Sequence, residues 1–204
     1  MRPDKREGQM QMIAVLLLLI LPSIASAFDI RYQSSITVNN KTIIYDVPGK
    51  VQTFYESSPQ AIETMMKLSN VQAHDVVYDL GSGRGAILNG ALEHGAKAIG
   101  IEIDPVLVYL STKRSKAQTI QGDFFKADLS EATVVTLFLG DDVNLMLKPK
   151  LKALRPGTRI VSNSHDMGNW KPDRVMQIPG CNDFQGAERE IEKKYCRVLL
   201  WVVK

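Results

Sequence analysis

The segment VVYDLGSGRGAIL, Val76 to Leu88, carries a short apolar run straight into a glycine cluster, Gly81, Gly83 and Gly85. The run Val76 to Leu80 is brief, β-branched and aromatic, which fits a strand buried in a parallel sheet. Glycines at alternate positions permit positive φ and let a ligand approach backbone that a Cβ would shield. The helix-like segment that follows turns its first N–H groups towards whatever lies above the strand. The pattern is that of a nucleotide-type binding turn; a glycine turn that only tightens strand–helix packing is the alternative.

The dinucleotide fingerprint is G-x-G-x-x-G with an acid roughly 20 residues later. This chain instead reads D-x-G-x-G-x-G, from Asp79 through Gly81 and Gly83 to Gly85. A carboxylate just ahead of the first glycine repels a pyrophosphate and suits a ligand bearing a cationic amino group. The next apolar run, AIGIEID, places Glu102 at its end, where a carboxylate can accept hydrogen bonds from ribose hydroxyls. These two motifs resemble the opening pair of the Rossmann-like, class I methyltransferases that use S-adenosylmethionine (SAM). The resemblance implies SAM as cofactor, held by Asp79, Gly81, Ser82, Gly83, Gly85 and Glu102. It also implies an α/β fold with about seven strands, mostly parallel, and helices on both faces. A nicotinamide-dependent oxidoreductase is a competing reading, against which Asp79 and the Gly85 spacing speak.

With 204 residues, 45% of them apolar, the chain has room for one ordinary domain with an appendage. Its net charge of +3 includes no basic block outside the N-terminus, so no nucleic-acid partner is expected. The densest internal cluster, Lys113 to Lys116, suits a helix C-terminus. Three histidines and two cysteines are too scattered for a metal spacing, and none is expected. The chain reads as a monomer.

Residues 1–27 have the pattern of an export signal: Arg2, Lys5 and Arg6, an apolar run from Ile13 to Leu21, then Ala25-Ser26-Ala27. Cleavage there gives a mature start at Phe28 and a periplasmic or secreted protein. An uncleaved anchor over residues 13–27 is the alternative, and the membrane is then met only through this segment. Residues 28–57 form an extension, with Asn39-Asn40 between two β-like runs as a hairpin turn, expected to cover one face of the domain. The domain proper is 58–204, opening with Ser58 as a helix cap and Pro59 at the first helical position.

Just ahead of that helix stand Phe54, Tyr55, Glu56 and Ser57. This loop resembles one in the non-SET histone lysine methyltransferases and the related mitochondrial lysine methyltransferases, where the segment closes over the cofactor; a plain capping loop is the alternative. Asp123, after a short strand at 119–121, resembles the family position that meets the adenine amino group, or is a turn aspartate. Thr133 to Leu139 reads as the strand beside Val76–Leu80, ending at Gly140-Asp141-Asp142. That acid pair either orients a substrate amine or caps a helix starting near Val143, and the cap is preferred. His165 and Asp166 sit in a polar loop beyond the fifth strand, on the ligand side, and suit substrate contact or proton handling.

From about Ser58 to Asp173, with the closing LLWVVK, the chain resembles small bacterial methyltransferases akin to the mitochondrial lysine methyltransferases. That implies a protein lysine as acceptor, with Tyr55, Glu56, His165 and Asp166 as the catalytic candidates. The aromatic or proline residues usual after the fourth strand are replaced here by Gly140-Asp141-Asp142. A module that binds SAM or a nucleoside without catalysis is the runner-up. Export would permit a disulfide between Cys181 and Cys196, and in a cytosolic protein both read as packing residues, so the sequence leaves their pairing open; SAM is made in the cytosol, so the two halves of this reading pull apart.

Overall fold

A computed structural model describes residues 55–179, 181 and 196–204, together with the backbone of 31–38 and 41–48. The export signal, its cleavage point and Phe54 lie outside the described residues. Strands β1 (Arg31–Val38) and β2 (Lys41–Pro48) pair antiparallel with Val38 opposite Lys41, the register of a two-residue hairpin at the expected place. Contacts of the hairpin with the domain, and so the expected covering of one face, lie outside the described residues.

The domain begins with α1 (Pro59–Ser69), whose first turn is tied by Ala61 N–H donating to Ser58 Oγ at 3.2 Å. Then follow β3 (Val76–Leu80), α2 (Ala86–Glu93), β4 (Lys97–Glu102), α3 (Pro105–Arg114), β5 (Gln118–Gln121), β6 (Val134–Leu137), α4 (Asp141–Lys152), β7 (Arg159–Asn163), β8 (Arg174–Gln177) and β9 (Arg197–Val202). Seven strands form one sheet in the order β5-β4-β3-β6-β7-β9-β8, parallel except for β9, which runs against both neighbours. The order in which strands are added reverses between β3 and β6, and in open α/β sheets ligands bind beyond the carboxyl ends of strands at such a point.

Period-two alternation in β3 explains its central place. Val77 enters the core under α1 and α2, while Tyr78 and Leu80 enter the core under α4. Helices therefore cover both faces, as expected. Asp79, pointing the same way as Val77, is left to face the ligand end.

At the opposite end of the sheet Asp75, 1% exposed, is fixed by Gln72 N–H at 2.8 Å, Thr133 Oγ1 at 2.8 Å and the Arg159 guanidinium. Arg159 also donates to the carbonyls of Ser69 and Asn70 at 2.7 and 2.9 Å, so one cluster joins α1, β3, β6 and β7. These donors hold the Asp75 carboxyl below the usual carboxylate range despite its burial. The stability it contributes is present above the unfolded-state pKa and is lost as pH falls through the folded one.

Two expectations are corrected. α4 begins at Asp141 rather than near Val143, and its cap is Gly140, with no side-chain cap bond, so Asp141 and Asp142 are first-turn residues rather than caps. Their carboxylates still favour the helix N-terminus through the dipole. β6 is also shorter than the run 133–139: its pairing with β3 covers Val134 to Leu137, and Phe138 and Leu139 lie beyond it. Cys181 and Cys196 are joined in a disulfide that ties the end of β8 to the start of β9. Among the described residues no helix is long and apolar enough to cross a membrane.

Gly100 is the tightest point near the site. A Cβ there would lie 2.4 Å from Ser82 Oγ and 2.8 Å from Leu88 Cδ1. Gly100→Ala is expected to destabilise the domain by about 1–3 kcal/mol, the range for overpacking a filled core. Urea unfolding followed by circular dichroism reads this out; an unchanged midpoint would show that the turn yields without strain.

Candidate active site

The site is built where β3, β4 and β6 end. Gly81 and Ser82 both donate their N–H to Ile101 O, at 2.8 and 3.2 Å, which folds the glycine turn back onto the neighbouring strand. Gly81, Gly83 and Gly85 have φ of 75°, 53° and 81°, the left-handed region that the alternate glycines were expected to supply. At Gly85 the requirement is packing as well, since a Cβ would sit 2.7 Å from Ser111 Oγ on α3. Gly85 closes the turn by donating to Ser82 O and caps α2.

Two carboxylates are buried at this turn. Asp79 is 2% exposed and its Oδ1 accepts a 2.7 Å hydrogen bond from Thr136 Oγ1 on β6. Burial, with a further contribution from the Glu102 charge, pushes its carboxyl up to about 7. Glu102 is 6% exposed; Oε2 accepts from Gly83 N–H at 2.8 Å and Oε1 from Asp104 N–H at 2.9 Å. Burial raises its pKa too, against the lowering effect of those two amides. For Asp79 the linkage has a definite sign. The folded state holds the proton more tightly than the unfolded chain, so the protonated form stabilises the fold below about pH 4, and this is lost as pH rises through about 7. The stability lost across that window is of the order of 4 kcal/mol.

A pocket opens here, lined by Asp79, Gly81, Ser82, Arg84 and Ile87 on the turn side, by Tyr55, Glu56 and Ser57 on the loop before α1, and by Phe138 beyond β6. Ser82 Oγ is buried there with no hydrogen-bond partner among the described residues. A SAM-like ligand fits this arrangement. Two carboxylates whose ionisation is resisted would be relieved by an ammonium and by ribose hydroxyls, and the orphaned Ser82 hydroxyl gains a possible partner. Glu102 has lone pairs beyond the two it lends to backbone amides.

The loop before α1 is held at the pocket by two contacts. Glu56 forms an ion pair with Arg114 at the end of α3, and Ser57 Oγ accepts from Asn163 Nδ2 at 3.1 Å, at the end of β7. Tyr55 is 72% exposed and stands at the rim. Asp123 folds its side chain onto its own turn, Oδ1 accepting from Phe125 N–H at 2.9 Å, which is the turn-aspartate geometry. Gly122 N–H donates to Glu102 O at 2.9 Å, so that turn is fastened to the end of β4.

Beyond β7 the chain makes an unusual bend: Ser164 has φ of 70°, and His165 N–H donates to Asn163 O at 2.8 Å across it. His165 Nδ1 then lies 3.1 Å from Asp141 Oδ1, which also accepts from Asp166 N–H at 3.2 Å. Asn144 Nδ2 donates to His165 O at 3.1 Å. The imidazole stands 6.2 Å, centre to centre, from the Phe138 ring that lines the pocket. His165 is thus brought near the site, whereas the Asp166 carboxylate is turned towards Arg197 at 3.6 Å and accepts from Gly168 N–H. Phe138, Thr136, Asn163 and Asp141's hold on His165 were not anticipated. Phe138 alone left a trace, as the aromatic residue near the end of the apolar run 133–139. No group of three or more candidate metal-ligating side chains occurs among the described residues.

Comparison with known proteins finds methyltransferases. The model of the ANTKMT methyltransferase domain matches residues 79–174. A protein-lysine N-methyltransferase of Saccharolobus islandicus is 38% identical over 63% of this chain and 86% of its own length. A human lysine N-methyltransferase of an ATP synthase subunit is 28% identical over 60% of this chain, which spans only 55% of that protein. A crystal structure of an RNA methyltransferase from Salinibacter ruber in complex with S-adenosyl-L-homocysteine superposes with a TM-score of 0.63, at 40% identity, covering 73% of this chain and 94% of that one. With the buried acid pair, the glycine turn and these likenesses together, the chain belongs to the class I SAM-dependent methyltransferases, among the relatives of the ANTKMT methyltransferase domain.

Proposed function

We propose that the methyl group goes to a lysine amine of a protein. The observation that carries this is the likeness to the archaeal protein-lysine N-methyltransferase across most of that protein's length. The acid pair that opens α4 beyond β6, Asp141 and Asp142, supports it, since carboxylates at that end of the sheet would attract an ammonium and repel a phosphodiester.

SAM, when bound, supplies an electrophilic methyl group on a sulfonium. The residues of this chain supply placement and proton handling. Ionised Asp79 would pair with the ligand's ammonium, Glu102 would accept from the ribose hydroxyls, Gly81, Ser82, Gly83 and Gly85 would form the cradle, and Asp123 would border the adenine. Tyr55, Glu56 and Ser57 close the site against water. A lysine ammonium must lose a proton before its nitrogen can attack, and His165, engaged at Nδ1 by Asp141 and standing beside the Phe138 ring, is the group we assign to accept it. Asp166 serves by fixing Asp141 through its backbone N–H rather than by its carboxylate.

Residues 1–27 we infer to direct export or to anchor the chain at a membrane, and the Cys181–Cys196 disulfide supports an oxidising compartment. Protein isolated from cells is then expected to begin at Phe28, or to partition with membranes, and to carry no free thiols without reductant. An intact Met1 with two reduced cysteines in the soluble cytosolic fraction would contradict export.

The acceptor is tested by incubating the purified chain with methyl-labelled SAM and separate protein and RNA fractions. Label is expected in protein, released as methyl-lysine on hydrolysis, and His165→Gln should slow transfer about 10²- to 10⁴-fold, the usual range for a lost acid–base group. Nuclease-sensitive label would overturn the lysine assignment. Absence of transfer to either fraction by protein that binds SAM would overturn catalysis in favour of a binding module.

A further inference from the structure

Lys150 lies on the inner side of α4, nine residues after Asp141, outside every motif discussed so far. Its Nζ donates to three backbone carbonyls of a single turn: Phe124 O at 3.1 Å, Phe125 O at 2.9 Å and Ala127 O. The turn is one helical loop closed by Lys126 and Ala127 N–H donating to Asp123 O at 2.9 and 3.1 Å. So short a turn leaves its later carbonyls without N–H partners, as at any helix C-terminus. One ammonium takes up three of them. Burial lowers the Lys150 pKa, and Asp123 and Asp128 work against that.

The turn matters because of what stands on it. It begins at Gly122, fastened to Glu102 O, and its Phe124 side chain reaches the glycine turn: a Cβ placed on Gly81 would be 3.9 Å from Phe124 Cε1. Phe124 also packs against the core cluster under α4, to which Leu80 and Ile101 belong. The wall beside Glu102, on the β5 side of the sheet, is therefore set by a lysine 26 residues beyond Phe124 in the chain. A ribose held at Glu102 would bring its base towards this wall.

We propose that Lys150 is a positioning residue for the adenosine half of the cofactor, acting through the Asp123–Ala127 turn and Phe124. It touches neither the transferred methyl nor the acceptor, so its removal acts on cofactor affinity and not on the chemical step. This rests on SAM binding at Asp79 and Glu102.

The test uses the full chain. Lys150→Met keeps the length of the side chain and removes the charge. Its affinity for S-adenosylhomocysteine and for 5′-methylthioadenosine, which lacks the amino-acid portion, should fall by the same factor, about tenfold, the range of one or two hydrogen bonds to a charged group. The rate at saturating SAM and the acceptor KM should stay within about twofold, and Lys150→Arg should restore most of the affinity. Phe124→Ala, which leaves Lys150 and its carbonyls in place, should weaken the same two ligands and serves if Lys150→Met fails to fold. Unchanged affinities in folded Lys150→Met or in Phe124→Ala would overturn the proposal, as would a loss confined to the rate at saturation. Wild-type protein that binds neither ligand would instead overturn the cofactor site itself.

Discussion

Two carboxylates taken out of water at the ends of adjacent parallel strands are the constraint on which this molecule turns. Asp79 and Glu102 face the same glycine turn, each with its ionised form resisted by burial. An unpaired buried charge is expensive, and a protein keeps one only where something compensates. Part of the compensation is internal: the Thr136 hydroxyl on Asp79, and the amides of Gly83 and Asp104 on Glu102. The remainder is left to a cationic, hydroxyl-rich ligand. Binding energy and burial energy are thus coupled in the same two side chains, and Gly100 is a glycine because the turn that carries the ligand presses directly on β4.

Helix α4 links the two ends of the site. Its first residue, Asp141, holds His165 beyond β7, and Lys150 holds the turn beyond β5. Nine helical residues separate the two along roughly 13 Å of axis. Acceptor-side and cofactor-side groups therefore take their positions from one rigid element packed under β3 and β6. The loop before α1 closes the arrangement from the other face, through Glu56 to Arg114 and Ser57 to Asn163.

Much of this was legible in the chain because it depends on neighbours in sequence. Val76 to Gly85 dictates strand, turn and helix start, and Ser58-Pro59 and Asp104-Pro105 each supply a cap and a preorganised first turn. The start of α4 was misread for a local reason: an Asp-Asp pair has the appearance of a cap, yet Asp141 is engaged by His165 and Asp166, some 24 residues later, and Gly140 takes the cap position. Thr136 on Asp79, Asn163 on Ser57 and Lys150 on the Asp123 turn are likewise long-range, and no spacing rule exposes them. Ser164 hides its left-handed backbone behind a residue type that carries no glycine signal. The cysteines could be paired only conditionally, since their proximity follows from β8 and β9 being neighbours in the sheet.

The most direct test is calorimetric titration of the chain with SAM at pH 6 and pH 8, each in two buffers of different ionisation enthalpy. Asp79 titrates near 7 in the free protein and must ionise to pair with the ligand's ammonium. Binding should therefore release close to one proton at pH 6, from the Asp79 carboxyl, and tighten as pH rises towards 7, whereas at pH 8 there is no net release because the ligand's own amino group takes up a proton to bind as an ammonium. Asp79→Asn should remove the proton release at pH 6. Equal proton release at both pH values, or an Asp79→Asn variant that behaves as the wild type, would contradict the account of the buried acid pair as the seat of cofactor binding.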